Sequence, residues 1–445
     1  MPDDPKERCS PQHSLASALA LVAEGAEDAV ADLKRLVAVD TSFPPGVGYP
    51  AFAELIAELT HSLGFTAQKV VVPEGLWRIP GDLTRGERTN LVCRRRTGKS
   101  VISLYFHVDT VPRAPGWSGD PFTLRRAGSC LFGLGAADMK GTIAAVLLAL
   151  RTAQKCQLPL AYDPDLLLCT DEEGGLYPGV RYLAEQGLVA GHALNLNGVA
   201  APRIWAGCFG TINLLIRVRG EAVHSAEGNR AGYGVNAIEG ALPILNALSA
   251  LKSQVVRRTS ALPPPPHVNG PLTAQLSIAA VHGGCAGGQV PALCEILVSR
   301  RYAPEETFEE ARAEMEAAIR KAVAGTPLAV EFHLVGHLSP VDDPGGPHWP
   351  RWQKALCAGF GYTPADFRRW GATSSSDFGF VQKAGIREGL LGGLGRPERN
   401  IHGPGEHTTL EDIVALAKSV LAYLAADFEA DLIPESDKLC KGKVS

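Results

Sequence analysis

The sequence predicts an α/β protein in which a mixed, largely parallel sheet forms the larger domain and a ferredoxin-like β-α-β-β-α-β domain is inserted into it. Three observations carry this. Strand-like and helix-like segments alternate up to about residue 208; the order from 209 to 340 becomes β-α-β-β-α-β; and the alternating texture then resumes. The larger domain is therefore 1–208 with 341–445, and the smaller is 209–340. A chain of 445 residues has room for two cores, being roughly two to three times a typical domain length.

The elements follow in order. Ala26 to Val39 and Ala51 to Leu63 place apolar residues at three- and four-residue spacing, as amphipathic helices do. Asn90 to Cys93 and Val101 to Phe106 read as short buried strands, Gly141 to Ala153 as a helix, and Asp165 to Thr170 as a strand. A helix near Val180 to Gln186 precedes a strand from His192 to Asn197. In the smaller domain, strands are expected at Thr211 to Arg219, Ala274 to Val281, Ala292 to Arg300 and Ala329 to Val335. Its helices are expected at Asn236 to Leu251 and Pro304 to Ala324. Trp349 to Gly359 and Leu410 to Ala426 then read as helices around a strand at Gly389 to Leu391. Gly207 to Gly210 and Ser339-Pro340, where the chain crosses between domains, are expected hinges.

Composition excludes several classes. Hydrophobic residues are 45% and charged residues 20%, so the chain is globular rather than disordered. Net charge is −4 and the longest basic run is Arg94 to Arg96, which argues against a nucleic-acid or anionic-membrane partner. No apolar run reaches membrane-spanning length. The apolar stretch Leu15 to Ala23 lacks a basic flank, so it does not read as a secretory signal. Ten cysteines are scattered without a Cys-x-x-Cys pair, and Cys156, Cys169, Cys294 and Cys357 lie in apolar runs. They read as reduced packing residues of a cytoplasmic protein.

Candidate chemistry gathers at the carboxyl ends of the expected strands, where open α/β sheets place ligands. His107 and Asp109 follow one strand, Asp171-Glu172-Glu173 follow another, Asp138 opens a helix, and His402 follows the strand 389–391 through a glycine-rich loop. Imidazole and carboxylate are ligands for zinc or a similar divalent ion. Singly, each has a plainer explanation: a loop histidine, a solvated turn, or a helix cap. Four such positions in register with successive strand ends point to one metal-binding crevice.

The motifs also resemble a known family. They are His107-Val-Asp109-Thr-Val-Pro112, Trp117 with Pro121-Phe122, Gly133-Leu-Gly-Ala-Ala-Asp138-Met-Lys-Gly141, and Thr170-Asp-Glu-Glu173-Gly174. Further on stand Gly220-Glu-Ala-Val-His224, Gly283-Gly284, Val290-Pro291, Arg301-Tyr-Ala-Pro304 and Ile401-His402-Gly-Pro-Gly-Glu406. Together they resemble the zinc aminoacylase and carboxypeptidase family, which includes acetylornithine deacetylase, succinyl-diaminopimelate desuccinylase and the glutamate carboxypeptidases. The resemblance runs from about residue 100 to 410. It implies that Asp138, Glu173 and His402 hold one Zn2+, or Co2+ or Mn2+ in its place. A second ion would be held by His107, Asp138 and a carboxylate about two dozen residues beyond Glu173. It further implies Glu172 as general base toward a metal-activated water and Asp109 as the carboxylate orienting His107. His224 would stabilise an oxyanion across a homodimer, and Arg301 would grip a substrate carboxylate, with the adjacent Arg300 as the competing choice.

The pattern departs from the family at one ligand. Where Asp or Glu is expected, this chain has Asn195-Leu-Asn197, and Asn197, at the expected end of the strand, takes the ligand position, with Asn195 the alternative. A neutral amide predicts one tight ion and a labile second one. Gly288, Ser299 and the serine run Gly371-Ala-Thr-Ser-Ser-Ser-Asp377 also depart, predicting a specialised substrate pocket. The expected function is a metal-dependent hydrolase of an amide bond in an N-acyl amino acid or dipeptide-like small molecule with a free carboxylate. The alternatives are a non-catalytic relative that binds an amino-acid derivative or a partner protein, and an acyl-transfer or amide-forming variant.

Overall fold

The computed structural model describes residues 14–79, 84–228, 234–284 and 286–428. Its larger sheet has six strands in the order Thr66–Val71, Thr89–Arg94, Asp163–Cys169, Val101–His107, His192–Asn195 and Gly389–Leu391. The last four run parallel and the first two pair antiparallel, so the sheet is mixed and largely parallel as expected. Its four parallel strands are buried almost throughout because both faces are covered there, whereas the edge strand Thr66–Val71 is exposed. Leu104 and Phe106 enter a core packed by the helices Lys140–Lys155, Trp349–Phe360 and Leu410–Leu424. Tyr105, between them, points to the opposite core with Val180, Trp205 and Phe378, the alternation that a pleated strand imposes.

The second sheet is antiparallel, in the order Gln275–Gly283, Leu293–Tyr302, Gly210–Arg219 and Ala329–Leu338. Ile212, Leu214, Ile216 and Val218 alternate inward along its central strand into a separate core with the helices Ala237–Val255 and Phe308–Ala322. Both helices start where the sequence supplies a cap. The Asn236 side chain accepts the Ile238 and Glu239 N–H groups, and Thr307 with Glu310 forms a reciprocal capping box. The chain order of these six elements is the expected β-α-β-β-α-β.

Two departures matter for the site. The strand expected to reach Asn197 ends at Asn195, because the Asn195 side-chain oxygen accepts the Asn197 N–H at 2.9 Å and turns the chain off the sheet. A three-stranded sheet of Val341–Asp342, Arg203–Cys208 and Arg368–Ala372 stands where the chain passes between the two larger sheets. Its strands were not expected, since each is short and its partner is distant in sequence. Leu15–Glu24 is a helix whose Leu15, Ala18 and Val22 join the main core. No helix among the described residues is long and apolar enough to cross a membrane.

Candidate metal centre

The site is assembled from the carboxyl ends of the parallel strands. Val101–His107 delivers His107, fully buried, and the following Val108 N–H bonds to the Cys169 carbonyl of the neighbouring strand at 2.8 Å. His107 Nδ1 donates to the backbone carbonyl of Asp109 at 3.0 Å. A carbonyl can only accept, so that contact leaves Nε2 as the free ring nitrogen. Nε2 faces Asp138 Oδ1 at 2.8 Å. Two lone-pair atoms at that separation need a proton or a cation between them, and the donor set suits a borderline metal ion.

Asp138 sits at the end of the loop 133–138, just before the helix Lys140–Lys155, and the Asp138–Met139 peptide is cis. The loop is pinned by Glu406, whose buried carboxylate accepts the N–H groups of Gly135 at 3.1 Å, Ala137 at 3.0 Å and Asp138 at 3.1 Å. With its backbone fixed, Asp138 turns one oxygen to His107 and the other toward His402 Nε2 at 3.6 Å.

Glu172 and Glu173 follow Asp163–Cys169 through Asp171, which adopts φ 64°. Asp171 is held there by the Tyr49 hydroxyl and by Arg88 Nε, each at 2.8 Å and each buried. The Glu173 N–H donates to Asp109 Oδ2 at 2.8 Å, so Asp109 ties the His107 loop to the glutamate loop. His402, at φ 66°, reaches the Glu173 carboxylate at 3.0 Å. Ligand atoms of His107, Asp138 and Glu173 lie within 4.8 Å of one another, with no other such group among the described residues.

Electrostatics is consistent with a cluster built for positive charge. Burial works to raise the Asp138 pKa, but the hydrogen bond and charge of His107, helped by His402, hold it well below the ordinary carboxylate range. Hydrogen bonds to Asp138 and Glu173 lift His402 to about 10. Burial alone would lower His107, yet its bonds to Asp109 and Asp138 keep it well above its usual value. Glu172 is pushed well up by burial, opposed by His107 and reinforced by Asp377, Glu173 and Asp138. A carboxyl raised in this way is suited to taking and returning a proton.

The remaining candidates lie elsewhere. Arg301 is on the strand Leu293–Tyr302 and donates to Ser375 Oγ at 2.7 Å and to Thr211 Oγ1; among the charges that act on it is Glu172. Arg300 is fully buried in an ion pair with Glu306 and so is occupied structurally. His224 is exposed on the smaller unit, where its Nδ1 accepts the Ala226 N–H at 3.2 Å, and none of its bonds reaches the metal cluster. Asn197 faces a small polar cavity with Arg203 and Ser374 to Ser376.

Two buried carboxylates near the cluster had no role from the sequence. Glu406 belongs to the His402 motif, and its meaning appears only through the distant N–H groups it accepts. Asp377, at the end of the serine run, is fully buried and accepts the Tyr105 hydroxyl at 2.7 Å; burial raises its pKa to about 7, with that bond and His107 opposing.

Residues 103–426 match the model of peptidase family M20/M25/M40. The chain belongs to that family. It is 30% identical over 271 residues to acetylornithine deacetylase of Proteus mirabilis, covering 58% of this chain and 62% of that protein. It is 31% identical over 239 residues to acetylornithine deacetylase of Pectobacterium carotovorum, covering 52% and 57%. These alignments span less than two thirds of either relative. Among solved structures of the same fold, the di-peptidase Dug1p of Saccharomyces cerevisiae superposes with a TM-score of 0.75 at 16% identity, covering 93% of this chain and 98% of that one. Human carnosine dipeptidase 1 superposes with a TM-score of 0.73 at 16% identity, covering 92% and 98%.

Proposed function

We propose that this protein is a metal-dependent hydrolase of an amide bond in an N-acyl amino acid or dipeptide-like substrate with a free carboxylate. The observation that carries the reading is Glu172, a buried carboxyl of raised pKa directly beside the Glu173 of the His107–Asp138–Glu173 group. His107, Asp138, Glu173 and His402 would hold the ion, Zn2+ with Co2+ or Mn2+ as substitutes. A bound divalent cation would supply Lewis acidity to the amide carbonyl and lower the pKa of a water. Glu172 takes the proton from the attacking water and returns it to the leaving amine. The ring of His107 is oriented by the Asp109 backbone carbonyl rather than by its carboxylate as the resemblance implied, because that carboxylate is engaged by the Glu173 N–H. Arg301, free of the Glu306 pairing that occupies Arg300, holds the substrate carboxylate. The similarity to a deacetylase of an N-acyl amino acid and to two dipeptidases supports amide and peptide bonds as the target.

In this reading, residues 209–340 act as a lid and dimerisation domain on the catalytic unit formed by 1–208 and 341–445, with hinges at 207–210 and 339–340. Ile238, Leu242, Val281 and Leu293 are exposed apolar residues on that unit and suit burial in a homodimer, through which His224 would reach a partner's site. Asn197 leaves the second ion weakly held. Cys93, Cys156 and Cys169 are buried free thiols, in keeping with a reducing cytoplasm.

The test is incubation of metal-supplemented protein with a pool of N-acyl amino acids and dipeptides, read by mass spectrometry beside Glu172→Gln. Cleavage should fall by about 10²- to 10⁴-fold in the variant while metal content stays unchanged. Absence of cleavage by the native protein with zinc, manganese and cobalt would overturn the reading.

A further inference from the structure

A cavity of about 50 Å³ opens at the carboxyl ends of the strands His192–Asn195 and Gly389–Leu391. Asn195, Asn197 and Ser374 to Ser376 line it, and Arg203 forms one wall. Arg203 is only 9% exposed. Its Nε donates to the Trp370 carbonyl at 3.2 Å and its guanidinium lies 5.5 Å from the centre of the Trp370 ring, but Nη2 has no hydrogen-bond partner. Among the described residues no carboxylate pairs with it. Burial lowers its pKa to about 10.

A guanidinium withdrawn from water without a counter-ion is costly, so a fold that keeps one has an anion to set against it. Here no described residue supplies the anion. The family resemblance expects one acid, at Asn197 with Asn195 as the alternative, and both line this cavity as neutral amides. The three hydroxyls and the amide groups offer donors around the same space, and a planar guanidinium matches a carboxylate. The cavity is also coupled to the proposed substrate grip, because Ser375, on its wall, accepts from Arg301 at 2.7 Å. An occupant would therefore belong to the half of the substrate that carries the α-carboxylate.

We propose that Arg203 and the serine run form a carboxylate subsite for a second acidic group, which makes amides of aspartate or glutamate the preferred substrate class. This rests on the hydrolase reading of the same site. Arg301 holds the α-carboxylate, Arg203 receives the side-chain carboxylate, and Ser375 links the two.

The probes are N-acetyl-L-glutamate and N-acetyl-L-glutamine, which match in size and differ in the side-chain charge. Binding is measured by calorimetry on the full-length, metal-loaded chain carrying Glu172→Gln, so that neither is consumed. A charge-assisted pair in a desolvated pocket should favour the glutamate by about ten- to a hundredfold. Arg203→Met should reduce that ratio to near one, and a cooperative urea transition at the parent's midpoint reports that the variant is folded. Arg203→Lys should restore part of the preference. Discrimination of less than about twofold in the parent, including failure of both probes to bind, overturns the subsite, as does a preference that survives Arg203→Met. Tighter binding of N-acetyl-L-alanine on adding free acetate, without glutamate preference, would assign the cavity to a solution anion and overturn the substrate assignment. A chain that shows the preference but never cleaves native substrate fails the hydrolase reading alone.

Discussion

The carboxylate of Glu406 accepts the backbone N–H of Asp138 at 3.1 Å across 268 residues of sequence. The same carboxylate serves Gly135 and Ala137, so a single buried side chain fixes the loop that aims both oxygens of Asp138. Glu406→Gln replaces one acceptor oxygen with an NH2 that faces an N–H. Stability should fall by about 1–3 kcal/mol, read by urea denaturation, and metal should be lost to a chelator at a lower concentration. An unchanged chelator titration would show that the loop holds its shape without Glu406.

Gly141 is the second constraint on that loop. A Cβ there would stand 2.2 Å from the Ala136 carbonyl oxygen, a backbone atom that must move to admit it. Gly141→Ala should cost about 1–3 kcal/mol and weaken metal binding. Gly119→Ala, where a Cβ meets nothing within 4 Å, should change neither.

Acid sensitivity should come from two buried histidines that are not among the proposed metal ligands. Burial depresses His192 to about 3, with His348 and Arg351 adding to the effect. Burial depresses His337 to about 3 as well, helped by Lys383 and Arg181. His337 Nε2 is placed to accept from the Tyr302 hydroxyl at 3.0 Å, and His192 stacks on His348 at 3.6 Å. Both are neutral when folded, whereas the unfolded chain protonates them below its ordinary histidine pKa. Stability is therefore full above about pH 6.5 and falls as the pH drops toward 3, by up to about 1.4 kcal/mol per unit for each histidine. Denaturation midpoints between pH 5 and 8 should show this slope. His192→Gln and His337→Gln should each make it shallower, and an unchanged slope in both would assign acid sensitivity to other groups.

Metal removal gives a further expectation. After dialysis the protein should retain about one zinc ion per chain, with a second taken up only at excess metal. Chelation should lower the melting temperature and re-addition should restore it, because the ion binds only the folded cluster. Asp138→Asn, which removes the charge facing both His107 and His402, should lose the tight ion. Two ions surviving dialysis would contradict the weakening assigned to Asn197.

How much was legible follows from the range of each interaction. Val101–His107 and Lys140–Lys155 were readable because strand and helix formation depend on neighbours, which periodicity records. The β-α-β-β-α-β order was legible for the same reason. Arg203–Cys208 was not, since it is a strand only because Val341–Asp342 and Arg368–Ala372 arrive beside it. Arg300 and Arg301 could not be separated from sequence, because only the position of Glu306 in space shows which one is already paired.

By itself the sequence determined most of the element types and the strand and loop ends from which His107, Asp109, Asp138, Glu172, Glu173 and His402 emerge. The tertiary structure alone decided that Asp138 turns an oxygen to each of two imidazoles, that Glu406 holds its loop, and that Arg203 is buried without a counter-ion among the described residues. The first group follows from local backbone preference and side-chain chemistry. The second depends on distances between segments far apart in the chain, which exist only once the two cores have packed.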